Sequence, residues 1–152
     1  MLDRPKTIMA FATHHNRVGF CFFIDKQPMD WQLSYKAAKT ASNTETMLAK
    51  WLEFYAPDIV VTEKVHRDSR KGERAKHLLA VVDRVVRAKK IKLVKVVKQQ
   101  PYMNKYLQID ELCDRYPQMK AVAPKRRKYF EKEPPYVTLF EALALGIRYL
   151  KR

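Results

Sequence analysis

The run Pro57-Asp58-Ile59-Val60-Val61-Thr62-Glu63 constrains the fold of this chain more than any other stretch. Its β-branched residues, set between a proline and a polar segment, predict a strand. A near-continuous apolar run is what a parallel strand shows when helices cover both of its faces. Such a strand needs neighbours, so the run demands an α/β sheet. In open sheets of that kind, ligands gather beyond the carboxyl ends of the strands. Glu63 is delivered to that end, and the loop after it is strongly basic, with Lys64, Arg67, Arg70, Lys71 and Arg74. Two readings of Glu63 stand at this point. It is a site carboxylate facing a polyanion, or an acid that ends a strand and pairs with Lys64 or Arg67.

The segments before that run supply antiparallel partners. Residues 7 to 12 are apolar, Thr13-His14-His15-Asn16 reads as a turn, and Arg17 to Ile24 is a second strand. Asp25 to Asp30, with Pro28, predicts the next turn, and Trp31 to Tyr35 alternates like a third strand. Ser42 and Glu45 have capping-box spacing, with Ser42 as N-cap of a helix that carries Met47, Leu48, Trp51, Leu52 and Tyr55 until Pro57 stops it.

A helix over Glu73 to Lys90 follows the basic loop, and Ile91 to Val97 predicts a fifth strand. The alternation of strands and helices calls for a parallel extension of the meander. Pro101 to Tyr116 reads as mainly helical, and Pro124 begins a short basic helix that Pro134-Pro135 breaks. Val137 to Leu150 closes the chain as a helix marked by Leu139, Phe140, Leu143, Ala144, Ile147 and Leu150. At 152 residues, without repeats or long linkers, residues 1–152 are expected to form one domain.

Charge narrows the function classes. With 31 Lys and Arg against 16 Asp and Glu, the formal charge is +15. That excess repels itself unless a polyanion neutralises it, which points to nucleic acid. A membrane is not the expected partner. No apolar run approaches the roughly 18 residues of a spanning helix, and the N-terminus lacks a signal-peptide pattern. Cys21 and Cys113 read as packed free thiols, so a cytoplasmic or other reducing compartment is expected. From Arg84 to Gln108 the basic residues, Lys98 and Lys105 among them, are interrupted by no acid. Lys125-Arg126-Arg127-Lys128-Tyr129-Phe130 sets aromatics beside cations, which suits phosphate contact with base stacking. The expected nucleic-acid contacts are Arg67, Arg70, Lys71, Arg74, Lys98, Lys105, Lys125, Arg126 and Arg127.

Three segments together resemble a known family. Ile8 to Phe20 looks like a first hairpin of apolar strand, acid, turn, Arg-Val and glycine. Pro57 to Val65 looks like a fourth strand with a catalytic glutamate. Thr138 to Ile147 looks like a closing helix with two acids three residues apart before Ala-Leu-Ala. In order and spacing they resemble Holliday-junction resolvases of the RuvC type, which have an RNase H-like fold. The resemblance implies a mixed five-stranded sheet, an antiparallel three-strand meander plus parallel strands, flanked by helices. It also implies a homodimer acting on four-way DNA, with Mg²⁺ or Mn²⁺ as cofactor. The stripe Leu78, Val82, Val85 and Val86 is the candidate dimer contact, with internal packing as its alternative.

Two departures from the family pattern bear on catalysis. The family's first-strand aspartate falls on Thr13, and the earlier acid of its last helix falls on Thr138. Only Glu63 and Glu141 keep carboxylates. Two-metal phosphodiester hydrolysis holds its ions about 3.5–4 Å apart on carboxylate and water oxygens. Two glutamates are too few to neutralise two dications. His14 or His15 could join Glu63 and Glu141 as metal ligands, a set that favours Mn²⁺ over Mg²⁺. Otherwise both are turn residues that meet solvent or phosphate. Glu141 in turn faces the site or pairs with Arg148 or another cation, and His66 is a candidate proton carrier or a solvated loop residue. The functions in view are a junction endonuclease, a resolvase-like binder that does not cut, and an RNA-binding or scaffold protein using the same basic surface.

Overall fold

Successive residues of the first strand leave on opposite faces, and helices cover both. The computed structural model describes residues 6–66, 69, 71–98, 105–124 and 134–151. Along β1 (Thr7–His14), Ile8, Ala10 and Ala12 pack with Phe140, Leu143 and Ile147 of α4 (Val137–Leu150). Met9 and Phe11 pack on the other side with Leu48, Trp51 and Leu52 of α1 (Ala41–Tyr55) and with Leu78, Val82 and Val86 of α2 (Glu73–Ala88). Two-sided burial explains why the strand sequences read as continuous apolar runs.

The remaining strands are β2 (Arg17–Ile24), β3 (Gln27–Ser34), β4 (Ile59–Glu63) and β5 (Lys92–Val96), and α3 spans Lys105–Arg115. The sheet order is β3-β2-β1-β4-β5. β1 pairs antiparallel with β2, and β2 with β3, whereas β1–β4 and β4–β5 are parallel. The meander and its parallel extension both stand as expected. No helix among the described residues is long and apolar enough to cross a membrane.

Three local expectations are corrected. Asp25 and Lys26 alone make the second turn, at φ 46° and 72°, and β3 already begins at Gln27. Positive φ at both central residues matches the twist of a two-residue hairpin. Pro28 lies within β3, an edge strand, beside a register shift between Phe22 and Phe23. An edge tolerates the missing N–H there. Secondly, Thr40 rather than Ser42 caps α1: its side chain accepts from the Asn43 N–H at 3.0 Å. Glu45, one turn in, pairs with Arg84 of α2 instead. Thirdly, the α2 stripe is not a dimer contact. Leu78, Val82 and Val86 are buried in the core against α1 and the sheet, and the partly buried Val85 packs on the same cluster.

Cys21 and Cys113 are free and buried, as expected. Burial raises both thiol pKa values, with nearby aspartates adding to it, so neither is a reactive thiolate at neutral pH.

α4 approaches the sheet closely enough to depend on Gly146. A Cβ there would lie 2.3 Å from Phe23 Cε1 and 2.6 Å from its Cζ. Phe23 is fully buried, so its ring cannot swing aside. Gly146→Ala is expected to destabilise the fold by about 1–3 kcal/mol, as overpacking does. A thermal melt unchanged within error would show that the layer yields more than this packing implies.

Candidate functional site

Beyond the C-terminal ends of β1 and β4 lies a cleft whose lining includes Glu63, Glu141, His14, His15, Lys98 and Lys105. Glu63 arrives on a fully buried strand, so its backbone position is fixed by packing on both sides. Beneath it Thr62 points the other way, donating to Asp83 Oδ1 of α2 at 3.0 Å, and Lys95 of β5 pairs with Asp83 Oδ2. This buried network ties β4, α2 and β5 together directly under the site.

The Glu63 side chain is only 11% exposed, and its partner is Lys71, with Nζ 3.6 Å from Oε1. The same ammonium donates to the Thr13 carbonyl at 2.8 Å. Lys64 is exposed, and among the described residues only its backbone N–H is engaged, donating to Val96 O at 2.7 Å. Sequence alone offers Lys64 or Arg67 as partners and marks Lys71 only as a nucleic-acid contact, because nothing local shows that the loop turns back onto β4.

Thr13 borders the cleft through its backbone. Its hydroxyl lies on the opposite face, buried, donating to the Ala75 carbonyl of α2 at 2.8 Å. The parallel register pairs Ala10 with Val61, so continuing it by two residues sets Ala12 level with Glu63. By alternation Ala12 and His14 share Glu63's face. Thr13 therefore lines the cleft with Glu63 while its hydroxyl turns toward α2, and Ala12 is buried in the core on the α4 side of the sheet.

His14 and His15 both reach the cleft, and their Nδ1 atoms lie 2.7 Å apart. Across that contact one ring nitrogen donates and the other accepts, according to the tautomers.

α4 brings Glu141 to the cleft, where it pairs with Lys98 at 3.3 Å rather than with Arg148. Thr138, one turn earlier, is fully buried and accepts from Arg17 Nε at 2.8 Å. Arg17 is itself buried. It donates also to Asn16 Oδ1 at 3.0 Å, while its buried Nη2 has no hydrogen-bond partner among the described residues. Nothing in the local sequence signals this contact, which joins residues 121 positions apart.

Among the expected nucleic-acid contacts, Lys71, Lys98 and Lys105 line the cleft. Arg74 is exposed but holds the protein's own backbone, donating to His15 O and Ala38 O, each at 2.6 Å. Arg67, Arg70, Lys125, Arg126 and Arg127 lie outside the described residues. His66 is exposed, and among the described residues its contact is through the backbone, its carbonyl accepting from Ser69 N–H at 3.1 Å.

These side chains do not fit a pair of hard divalent cations. Both threonine hydroxyls are committed to protein partners, and each cleft glutamate is matched by a lysine. Among the described residues, no three of His, Cys, Asp or Glu converge on one point where an ion could sit. What remains is a cleft whose acids are internally balanced, on a chain of charge +15.

No protein-family model matches this sequence, and no curated protein matches it. Solved structures do. T. thermophilus RuvC in complex with a Holliday junction substrate aligns with a TM-score of 0.60 at 9% identity, covering 95% of this chain and 92% of that one. The Fowlpox virus resolvase, in complex with Holliday junction DNA, aligns at 0.63 and 15% identity, covering 95% and 97%. The yeast mitochondrial Holliday junction resolvase aligns at 0.56 and 10% identity, covering 96% and 80%. The chain has the RNase H-like fold of the RuvC-type resolvases.

Proposed function

We propose that this chain binds branched DNA, a four-way junction foremost, across the cleft at the ends of β1 and β4, and that it does not cut it with Mg²⁺. One observation carries the reading: Glu63 and Glu141 are each neutralised by a lysine within the site, which leaves a phosphate to meet cations rather than metal ligands. The nearby folds support the choice of ligand, since the T. thermophilus and Fowlpox proteins are complexes with junction DNA. Arg67, Arg70, Lys125, Arg126 and Arg127 extend the proposed contact surface on sequence grounds. A two-fold dimer belongs to the proposal because it matches the symmetry of a junction. Its contact is not the α2 stripe.

A second reading rests on His14 lining the same cleft as Glu63 and Glu141. It makes the protein a nuclease that favours Mn²⁺.

Binding and cleavage of a labelled four-way junction, against duplex of the same sequence and against RNA, separate these readings. Tight junction binding without cleavage in Mg²⁺ or Mn²⁺ is expected. Replacing Lys98 and Lys105 by Gln should flatten the slope of log affinity against log salt by about 0.9 for each duplex phosphate that is no longer neutralised. Arg148→Gln, on the last helix, should leave the slope in place. Cutting in Mn²⁺ that disappears with Glu63→Gln would establish the second reading. Preference for RNA, or indifference to every nucleic acid, would move the function to the RNA-binding or scaffold class.

A further inference from the structure

The Lys71 ammonium stands where the oxygen donors of β1 and β4 converge. It lies 2.8 Å from the Thr13 carbonyl oxygen and 3.6 Å from Glu63 Oε1, on a side chain only 12% exposed. Its root is fixed, since the Lys71 N–H donates to Ser69 Oγ at 3.1 Å and Gly72 then caps α2. We propose that Lys71 is the resident cation of this cleft and keeps divalent ions out of the native protein. The inference shares its cleft with the proposed function and deepens the non-cutting part of it, but it concerns cation balance and not the nucleic acid.

The physical case is one of charge and competition. Glu63 carries one negative charge and Lys71 one positive, so the pair is neutral. A dication entering between the same oxygens would meet the ammonium's repulsion at short range, where partial burial strengthens it. A cation borne on the chain has no translational freedom to lose on arrival. Its effective concentration beside Glu63 therefore exceeds the millimolar supply of a free ion. Once that charge is gone, Glu63 and the Thr13 carbonyl, with Glu141 in the same cleft, offer hard oxygen donors of the kind that divalent ions prefer. The site is then latent at Glu63, where Lys71 closes it, while Lys98 still pairs with Glu141.

Mn²⁺ alone is the probe. Lys71→Met keeps the aliphatic stem and removes only the charge. Free Mn²⁺ counted by electron paramagnetic resonance should show roughly tenfold or tighter binding by Lys71→Met than by wild type, as expected for lifting a close like-charge repulsion. The variant should melt below wild type in EDTA, and Mn²⁺ should raise its melting temperature more than it raises that of wild type. Glu63→Gln added to Lys71→Met should erase the gain. Wild-type protein that binds Mn²⁺ as tightly as Lys71→Met, and loses it on Glu63→Gln, overturns the proposal. So does a folded Lys71→Met that gains nothing. If Lys71→Met does not fold in either condition, wild type against Glu63→Gln decides alone, since the proposal requires that any Mn²⁺ binding by wild type be weak and unaltered by Glu63→Gln. Loss of the proposed function would show as absent junction binding with this Mn²⁺ pattern intact.

Discussion

Thr13→Asp is expected to destabilise the protein by about 2–5 kcal/mol, whereas Thr138→Asp should be level with wild type or slightly more stable. The same change at two buried threonines diverges because the hydroxyls play opposite parts. Thr13 is a donor, bonded to the Ala75 carbonyl. A carboxylate there faces an acceptor, inside the packed face against α2, and Ala75 O is left short of a donor. Thr138 is an acceptor, bonded to Arg17 Nε. That guanidinium is buried, has no acid partner among the described residues, and keeps an unsatisfied Nη2. Aspartate supplies what it lacks, a planar acceptor able to take two N–H groups at once.

Denaturant unfolding of the two variants measures the contrast. Equal losses at both positions would mean that Arg17 is already satisfied by water or by another group. A carboxylate at position 138 is then held by Arg17 and adds no metal ligand. Restoring both acids at the positions that linear spacing selects is therefore not expected to restore cutting.

The turn of the Thr13 hydroxyl toward α2 shows where the sequence stops being legible. Linear motif spacing counts residues, but a strand turns every second side chain to the other face, so an offset of one reverses the assignment completely. The sheet register decides it, and register is a relation between segments. Elements whose signals are local are legible in full. Arg17–Ile24 and Val137–Leu150 stand as the sequence indicates, because apolar periodicity and flanking breakers act within each segment. From sequence β3 looks shorter than it is, because Pro28 argues against a strand unless the strand is known to be an edge. Ser42 looks a better cap than Thr40 for a similar reason: Glu45 completes a capping box on paper, while in the fold Arg84 claims it. Glu63 is identifiable because an acid at the carboxyl end of a buried strand stands out, and Glu141 because its helix resembles the closing helix of the resolvase family. Their partners, Lys71 and Lys98, show in the sequence only as positive charge. Which lysine turns inward depends on how a loop returns, and composition carries no trace of that.

Lys95→Met is expected to cost about 2–4 kcal/mol, below the roughly 3–5 kcal/mol for removing one partner of a fully buried pair, because the lysine is partly exposed. The pair is asymmetric. The Asp83 side chain is 8% exposed and that of Lys95 31%. Without the ammonium, Asp83 keeps among the described residues only the Thr62 hydroxyl as a side-chain donor, at Oδ1, and its other oxygen remains in the interior between β4, β5 and α2. An unpaired carboxylate there must stay charged and poorly solvated or take up a proton, and either route lowers stability at neutral pH. Removing both charges should hurt less than removing one: Asp83→Leu with Lys95→Met is expected to recover much of the loss, because no ion is then left stranded. Equilibrium unfolding of the three proteins forms the test. A single Lys95→Met loss below about 0.5 kcal/mol, the level of an ordinary surface change, would show that water reaches Asp83. The consequence would extend to the cleft, because Thr62 hands its bond to Asp83 one residue before Glu63. A network that yields to water cannot hold that glutamate on Lys71, and the cleft's charge balance would then have to be kept from above by the ligand.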